Sequence, residues 1–376
     1  MPRILIVKGE ASGDLHGANL AKALKALDPQ VSLAGIGGAA MQAAGVQLVR
    51  DIGRLDIIGM VGPVALAAVV RRFLAMRRLF RSEPWDAVVF IDHPGLNLRY
   101  AYFAKAAGLR VLYYIAPQVW AWRPGRIHWI KRRVDHVLVI LPFEKALYDR
   151  AGIPCTFVGH PLLDAVAPHY DRDSLRTGFG LKRGGPVIGL LPGSRSGEVR
   201  SLLPILLEAA GKLAGRDQKT QFILAQASTI QDNLLQSLLR ESPVRVTVVK
   251  EQAGEVMAVS DLVLVASGTA TLQAAVVGTP MVLLYRTTIF TYWLARLLIR
   301  VKWIGLVNLV AGRSVVPELI QSEATAKRLY QEAVRILDDP TAYNDMKQSL
   351  KQVRAALGEP GASMRAAGVV LQACRS

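Results

Sequence analysis

Residues 187–199, VIGLLPGSRSGEV, contain the group of side chains best suited to binding an anion. An apolar run typical of a buried parallel strand opens the segment, a Pro-Gly pair ends the run, and a helix-like pattern follows Glu198. Backbone N–H groups at a helix start have no partner within the helix, and the helix dipole adds positive potential there. We therefore predict a phosphate-binding turn at Gly193 and Ser194, with Arg195 as a fixed cation. A routine strand–helix connection with a surface arginine is the alternative.

The segment SGTAT, residues 267–271, repeats this arrangement later in the chain. It follows the apolar run LVLVA and precedes the helix-like stretch TLQAAVVG. A second helix start that faces a turn of small residues can also hold a phosphate. The predicted second turn comprises Ser267, Gly268, Thr269 and Ala270. Two such turns in one half of the chain make an anion site a more specific prediction than either turn alone.

The first half of the chain has a different set of polar side chains. The segment GEASGDLHGA, residues 9–18, follows the strand-like run RILIV, but its glycines lack the spacing of the dinucleotide-binding fingerprint. Its polar groups suit sugar hydroxyls better than a pyrophosphate, namely Glu10, Ser12 and Asp14. Another strand-like run, AVVFI, leads into Asp92. Three histidines of the first half are either bases or partners of the neighbouring backbone: His16, His93 and His160.

The alternation of strand-like and helix-like segments in both halves predicts an α/β fold with two Rossmann-like, doubly wound domains. The chain has 376 residues, more than one core usually holds, and 51% of them are hydrophobic. A charged, glycine-rich stretch at 171–185 is the predicted linker. We expect an N-terminal domain at 1–180, a C-terminal domain at 186–345 and a helical tail at 346–376. The tail either packs back on the first domain or is exchanged in a homodimer.

The formal net charge of +17 indicates an anionic partner: nucleic acid, an anionic membrane surface or a phosphorylated substrate. Two basic, apolar segments, residues 65–81 and 289–306, have the composition of helices that rest on anionic lipid, although solvated or buried helices would also explain them. No segment reads as a membrane span. The chain start lacks a cleavable signal pattern and only two cysteines occur, so a reducing cytosol is expected. No Cys, His or Asp spacing suggests a metal site.

Eight blocks along the chain resemble the lipid-A-disaccharide synthase family and follow the order found in that family. They are GEASGDLHGA (9–18), DHPGLN (92–97), APQVWAWRPGRI (116–127), LPFEKALYD (141–149), FVGHPL (157–162), LLPGSRSGEV (190–199), ASGTATLQ (266–273) and NLVAGR (308–313). The resemblance implies a B-type glycosyltransferase fold, in which two Rossmann-like domains face a cleft. It places the donor nucleotide in the C-terminal domain and requires no metal or cofactor.

The resemblance also implies the reaction. An inverting enzyme would move 2,3-diacylglucosamine from its UDP derivative to the 6-hydroxyl of 2,3-diacylglucosamine 1-phosphate. The products would be a β-1,6 disaccharide 1-phosphate and UDP. Such a transfer needs a base for the hydroxyl proton and cations or dipoles for the leaving UDP.

The matching positions receive roles from the same resemblance. Asp92 is the candidate base, with Asp14 and Glu10 as alternatives, and Arg195 stabilises the leaving diphosphate. The donor side comprises Gly193, Ser194, Arg195, Ser267, Gly268, Thr269, Ala270, Gln273 and Asn308. The acceptor side comprises Glu10, Ser12, Asp14, Asn97 and Arg313. Asn308 and Arg313 would bind the phosphate of the donor or that of the acceptor. A local hydrogen bond within the turn is the alternative for both residues.

Two departures from the family pattern bear on these roles. Gly95 stands where many relatives have an acidic residue, which leaves Asp92 as the acid of that turn. Gln273 stands where similar transferases often place a glutamate against ribose hydroxyls, and a neutral amide bonds hydroxyls more weakly.

The expected partners are the two acylated sugar substrates and an anionic membrane surface, without nucleic acid. The expected location is the cytoplasm, with peripheral association at the inner face of the cytoplasmic membrane. Two alternative interpretations are open. The chain could be another UDP-sugar transferase or an epimerase, or it could be a non-catalytic basic protein that binds nucleic acid or lipid. Interleaved Trp and Arg at 118–133 and 292–303 fit the last reading superficially. A simple basic binder has no need of two paired anion turns, so the transferase is favoured.

Overall fold

The computed structural model describes residues 1–9, 11–49, 63–288, 292 and 301–375. The chain forms two compact units. Unit 1 comprises Met1–Pro161 and Gly358–Ser376, and unit 2 comprises Leu162–Leu357.

Unit 1 is built on a parallel sheet, whose strands within the described residues are β1 (Arg3–Lys8), β2 (Ser32–Ile36), β3 (Gln47–Leu48), β4 (Ala87–Ile91), β5 (Arg110–Tyr114), β6 (His136–Val139) and β7 (Cys155–Phe157). Their spatial order is β3-β2-β1-β4-β5-β6-β7. The side chains of β1 alternate between two cores, because Leu5 and Val7 pack on one face of the sheet and Ile4 and Ile6 on the other. Burial on both faces explains why these strands read as continuous apolar runs.

Helices cover both faces of this sheet. They are α1 (Ala11–Leu27), α2 (Ala39–Ala43), α3 (Pro63–Ser82), α4 (Pro94–Ala106), α5 (Arg126–Arg133), α6 (Pro142–Arg150) and the last helix of the chain, Ala362–Arg375. Leu20 and Leu24 of α1 share one hydrophobic core with Val370 and Leu371 of the last helix. The end of the chain therefore packs back on unit 1.

Unit 2 repeats the arrangement with a second parallel sheet. Its strands in the described part of the chain are β8 (Val187–Leu191), β9 (Gln221–Gln226), β10 (Val246–Lys250), β11 (Leu262–Ala266), β12 (Met281–Tyr285) and β13 (Glu318–Ile320). Their spatial order is β10-β9-β8-β11-β12-β13. Every residue of β8 and β11 is buried, as in a central strand.

The helices of unit 2 connect these strands. They are α7 (Leu162–Ala165), α8 (Arg172–Gly178), α9 (Ser196–Arg216), α10 (Asp232–Leu239), α11 (Ala253–Val259), α12 (Thr269–Val277), α13 (Leu306–Ala311), α14 (Ala326–Asp338) and α15 (Pro340–Ala356), with a 3₁₀ turn at Gln321–Glu323. The last helix of the chain, in unit 1, is α16.

The strand order reverses once in each sheet, between β1 and β4 in unit 1 and between β8 and β11 in unit 2. Such a reversal leaves a crevice at the carboxyl ends of the two strands, because the connections leave in opposite directions. The prediction of two Rossmann-like, doubly wound domains is confirmed. The crevices therefore lie beside the turns that follow β1, β4, β8 and β11.

The units divide the chain at other positions than the pattern predicted. Unit 2 begins at Leu162, and the stretch 171–185 that we expected as a linker contains α8. Arg172 explains the difference, because its Nη2 lies 2.6 Å from Oδ1 of Asp261 and also donates to the Val259 carbonyl of the same unit. The predicted tail is likewise shared, since α15 belongs to unit 2 and α16 to unit 1.

The first of the two segments expected to rest on lipid forms α3, whose described part carries exposed Val70 and Leu74. Most of the second segment lies outside the described residues, which include only 292 and 301–306 of its positions 289–306. Among the helices that are described, none combines the length and the apolar character needed to cross a bilayer.

Candidate active site

The two predicted anion turns meet at one cavity in unit 2. The cavity has a volume of about 490 Å³ and lies where the strand order reverses between β8 and β11. The predicted residues that line it are Gly193, Ser194, Arg195, Ser267, Gly268, Thr269 and Ala270. Since the turns come from strands 70 residues apart in sequence, only the parallel pairing of β8 with β11 brings them together.

The first turn is held by Glu198, in the first turn of α9. Its Oε2 accepts from the backbone N–H groups of Ser194 and Arg195, at 3.3 and 3.4 Å, and its Oε1 lies 2.9 Å from Nη1 of Arg195. The Thr229 hydroxyl donates to the Ser194 carbonyl at 2.5 Å. The backbone donors of the turn and the Arg195 guanidinium thus already converge on a carboxylate. The geometry of these donors therefore suits negatively charged oxygen, and in this structure Glu198 supplies it.

Gly193 is the residue that makes this arrangement fit. Its φ of +109° lies in the region that favours glycine, and a Cβ there would lie 2.5 Å from Oε2 of Glu198. The Arg195 side chain is 81% exposed, so the cation remains accessible from the cavity side despite its bond to Glu198. The turn is therefore built around one glycine and one carboxylate.

The second turn starts α12. Gly268 is the N-cap with φ +153°, and no side chain hydrogen-bonds its helix start. The Ser267 N–H donates to the Leu284 carbonyl, and the Thr271 hydroxyl donates back to the Gly268 carbonyl at 2.8 Å, which fix the turn against the sheet. The first N–H groups of α12 have no acceptor within the helix, and they lie at the cavity wall. This helix start is suited to a second phosphate oxygen.

The cavity also has walls that the sequence patterns did not reveal. Gln226 ends β9, which lies beside β8, Ser228 follows β9, and Glu251 follows β10, which lies beyond β9. Gln226 is held by bonds from its Nε2 to the Ile230 carbonyl and to Asp232. No local motif marks these residues. The available signal was their place after apolar strands, which becomes informative only once the strand order is known.

Three predicted residues of unit 2 are not brought to this cavity. The amide of Asn308 is fully buried and makes four bonds, two from its Nδ2 to Val316 and Glu318 and two to its Oδ1 from the backbone of Val315 and Val316. Arg313 donates to Ser349 and Gln352 of α15. Gln273 lies in α12 beside Gly254. Asn308 and Arg313 thus use their side chains to hold the fold of unit 2.

The corresponding turn of unit 1 follows β4 and is centred on Asp92. Asp92 and His93 both have left-handed backbone conformations, with φ of 52° and 47°. Two buried side chains clamp the Asp92 carbonyl: Asn97 donates to it at 2.7 Å and Tyr113 at 2.6 Å. The Asp92 carboxylate accepts the His93 N–H at 2.7 Å and is half-buried. Asn97 therefore positions the turn from beneath, and the carboxylate of Asp92 is its accessible acid.

One histidine of unit 1, His16, lies within electrostatic reach of Asp92, and a second, His160, lies within reach of His16. Burial lowers the pKa of His16, and the Asp92 carboxylate opposes that shift. Burial and the neighbouring His16 lower the pKa of His160 to about 4. Burial and the Asp92 charge also raise the pKa of Tyr113 well above its ordinary value. Asp92, the His16 imidazole and the Tyr113 phenol therefore interact at one switch point, and His160 lies beside His16.

The predicted acceptor residues at the start of α1 have different positions. Asp14 accepts backbone N–H groups of Gly38 and Ala40, the latter at 3.0 Å, and thus caps the start of α2. Lys8 lies 3.8 Å from the same carboxylate. Ser12 belongs to α1, but its side chain is outside the described part of the chain. Glu10 lies outside the described residues altogether.

The chain matches the family model described as lipid-A-disaccharide synthetase over residues 4–372. It is 46% identical over 371 residues to the lipid-A-disaccharide synthase of Geobacter sulfurreducens, covering 98% of this chain and 97% of the relative. It is 40% identical over 372 residues to the enzyme of that name from Myxococcus xanthus, covering 99% and 97%. The chain belongs to the lipid-A-disaccharide synthase family. Membership in this glycosyltransferase family confirms the resemblance and removes support for a non-catalytic basic protein.

Solved structures share the fold at low identity. A UDP-GlcNAc 2-epimerase from Neisseria meningitidis bound to UDP-GlcNAc has a TM-score of 0.66 at 12% identity, covering 98% of this chain and 100% of that one. The glycotransferase of kitacinnamycin has a TM-score of 0.62 at 14% identity, with both chains fully covered. At such identities these structures show the architecture alone, so the epimerase gives no argument against the family's transferase chemistry.

Proposed function

We propose that this enzyme moves 2,3-diacylglucosamine from its UDP derivative to the 6-hydroxyl of 2,3-diacylglucosamine 1-phosphate. The observation that carries the proposal is the cavity of unit 2, where two helix starts and Arg195 converge on one place. A diphosphate presents two groups of charged oxygens, and two adjacent helix starts match that spacing of charge better than one. Family membership supports the acylated sugars as donor and acceptor.

The donor diphosphate is bound in unit 2 by the turns at 193–195 and 267–270. Glu198 keeps Arg195 and the N–H groups of the first turn oriented toward an anion before the donor arrives. During transfer, the bond between the anomeric carbon and the diphosphate breaks, and its electron pair leaves with UDP. Arg195 and the helix starts stabilise that added charge, so they act more strongly on the transition state than on the bound donor.

The acceptor hydroxyl is activated in unit 1 by Asp92. The carboxylate takes the proton of the 6-hydroxyl as that oxygen forms its bond to the anomeric carbon, which inverts the configuration there. The clamp on the Asp92 carbonyl by Asn97 and Tyr113 holds the acid in a strained conformation that a free turn would leave. His16 lies within electrostatic reach of this carboxylate.

Both proposed substrates carry acyl chains, and they reside in a bilayer. We therefore place the enzyme at the inner face of the cytoplasmic membrane as a peripheral protein, which agrees with the net charge of +17. An exchange of the last helix in a homodimer is not needed for this function, since α16 packs with α1 of its own chain.

The test is UDP release by the purified full chain in detergent micelles. We expect release only when both diacylated sugars are present, and we expect the disaccharide 1-phosphate to have the β configuration by NMR. Unacylated UDP-glucosamine and glucosamine 1-phosphate serve as matched substrates, and an Arg195→Ala variant serves as the protein control. Equal UDP release with unacylated sugars, or an epimerised monosaccharide as the product, would contradict the proposal.

A further inference from the structure

A row of exposed aromatic side chains runs along one face of unit 1. The row consists of Tyr102 in α4, Trp122 and, in α5, Trp129. These rings are 56%, 38% and 43% exposed, although large rings normally avoid water. Trp122 lies in the loop that precedes α5. Their exposure is a feature that the proposed transfer reaction does not use.

Arginines join these rings into a continuous surface. The guanidinium of Arg133 lies 5.4 Å from the centre of the Tyr102 ring and 4.7 Å from that of Trp129. Arg126 lies 4.4 Å and Arg123 5.2 Å from the centre of the Trp122 ring. We name this set of six residues the aromatic–arginine stripe: Tyr102, Trp122, Arg123, Arg126, Trp129 and Arg133.

The spacing in α5 explains why the stripe is continuous. Positions 126, 129 and 133 recur at intervals of three and four residues, which puts them on one helical face. Ile130, between them, points into the core and is fully buried. The helix sequence RIHWIKRR contains no acidic residue, and neither does any position from 115 to 134. The face therefore carries positive charge that no neighbour in this segment neutralises.

The stripe is also held rigidly from beneath. Arg133 donates to the Leu98 carbonyl at 2.9 Å, which ties α5 to α4. Buried Glu144 accepts the Trp120 indole N–H at 3.0 Å, and the Tyr148 hydroxyl donates to the Pro117 carbonyl. These bonds fix the loop that carries Trp122. A surface that is ordered before binding loses little entropy when it binds.

We propose that the aromatic–arginine stripe seats unit 1 on a bilayer that contains anionic phospholipid. Indole and phenol rings favour the boundary between headgroups and acyl chains, and guanidinium groups pair with phosphodiester oxygens. The proposal rests on the proposed function, since the lipid substrates bring the enzyme to a membrane. Its six residues belong to neither of the two segments, 65–81 and 289–306, whose composition first suggested lipid contact.

Nucleic acid is the rival occupant of a surface with this composition. Proteins that bind single strands offer open aromatic faces on which bases stack. Here the arginines already cover a face of each ring. The stripe therefore favours contact with headgroups through charge and with the acyl boundary through ring edges.

The experiment measures partition of the full chain onto vesicles of phosphatidylcholine, with and without phosphatidylglycerol. The test variant is Arg123→Gln with Arg126→Gln. Its matched control is Arg240→Gln with Arg245→Gln, which removes the same charge from exposed arginines of unit 2. We expect the test variant to bind anionic vesicles about 30-fold more weakly, because each basic residue at such a surface contributes about 1 kcal/mol. We expect the control to stay within about threefold of the wild type, because Arg240 and Arg245 do not belong to the stripe.

The aromatic contribution is tested with Trp122→Phe and Trp129→Phe together. Phosphatidylcholine brominated on its acyl chains should quench part of the wild-type tryptophan fluorescence, and the double variant should lose that part. The variant Arg123→Lys with Arg126→Lys changes the same two side chains but keeps both positive charges. It should therefore retain vesicle binding. Circular dichroism of each variant verifies that the fold is intact.

Several outcomes would overturn the proposal. Equal loss in test and control variants would show a general charge effect, and unchanged binding in the test variant would remove the stripe from the membrane contact. Tighter binding of oligouridylate than of anionic vesicles at one salt concentration would make the stripe a nucleic-acid site. None of these readouts uses turnover, so failure of UDP release in micelles would count against the proposed function and leave the vesicle result to be judged by itself.

Discussion

The switch points of the two units have the same topology and opposite chemistry. In unit 2 the turns after β8 and β11 supply backbone N–H groups and Arg195 around a cavity. In unit 1 the turn after β4 supplies a carboxylate, Asp92, with His16 within electrostatic reach. The comparison teaches that strand order determines where a site forms, while the residues of the turns determine what it does.

The helix starts of the two units show the same contrast. In unit 1, the His93 Nδ1 caps the start of α4 and Asp14 caps that of α2, so the protein's own side chains satisfy those N–H groups. In unit 2, Glu198 bonds the N–H groups before α9 in the same way, but within the described residues the start of α12 has no side-chain cap. An uncapped start beside a cavity is suited to an external anion, whereas a capped start beside an acid repels one. We therefore expect substitutions in unit 2 to weaken UDP binding, and substitutions at Asp92 in unit 1 to lower turnover without weakening UDP binding.

The largest effect is expected for Asp92→Asn. Loss of the base should lower the turnover number by about 10²–10⁴-fold, because general base catalysis contributes that much. The measurement is the rate of UDP release with both acylated substrates, and Asp173→Asn, at an exposed acid of unit 2, is the control. A normal rate with an unchanged pH profile would move the base role to another residue.

Arg195→Ala should lower turnover by about 10²–10³-fold, as loss of one preorganised charge-stabilising group does. Arg195→Lys keeps the charge but loses the planar guanidinium and should recover part of the rate. Arg200→Ala, at an exposed position further along α9, removes a similar side chain and should remain near the wild type. Equal losses at 195 and 200 would show that the effect is one of general charge.

His160→Gln should remove a pH dependence of stability that belongs to unit 1. The folded-state pKa of His160 is lowered to about 4, so the folded protein holds the neutral imidazole. The pKa of this histidine in the unfolded chain is about 6.5. As the pH falls from about 6.5 toward 4, the unfolded chain binds a proton that the folded protein does not, so the free energy of unfolding should fall by about 3 kcal/mol. Urea unfolding at several pH values measures this slope. His169→Gln, at an exposed site, is the control, and an unchanged slope in His160→Gln would contradict the prediction.

Gly193→Ala is expected to have the smallest effect of these variants. The new Cβ meets the Glu198 carboxylate and the backbone keeps a conformation that alanine disfavours, so stability should fall by about 1–2 kcal/mol. UDP affinity should fall with it, because the turn must shift. Gly197→Ala, where a Cβ meets nothing within 4 Å, should bind UDP normally and melt no earlier than the wild type. Thermal melts and UDP titrations of the pair distinguish a strained turn from a general effect of added methyl groups.

Local patterns were sufficient to predict the fold class and both turns of the unit 2 cavity. Apolar runs that end in small residues indicate strand–turn–helix units wherever they occur, so 193–195 and 267–270 could be found without coordinates. Glu251 could not, because its place in the cavity depends on β10 lying two strands away from β8. Strand order is a property of the packed sheet and leaves no local trace.

The same limit explains the residues that the structure places elsewhere. An asparagine in NLVAGR has the chemistry of a phosphate ligand, yet the amide of Asn308 is completely occupied by the backbone at 315–316 and by Glu318. Asp14 has the chemistry of a sugar ligand, yet it caps α2. Polar residues near a predicted turn can serve the fold or the substrate, and only their hydrogen-bond partners distinguish the two.

The most direct test of the division between the units is a calorimetric titration of UDP into three proteins: wild type, Asp92→Asn and Arg195→Ala. The account predicts that Asp92→Asn binds UDP within about twofold of the wild type, while Arg195→Ala binds at least about tenfold more weakly, because a charge-assisted bond contributes about 1.5–3 kcal/mol. UDP affinity that falls in Asp92→Asn and stays unchanged in Arg195→Ala would contradict the account.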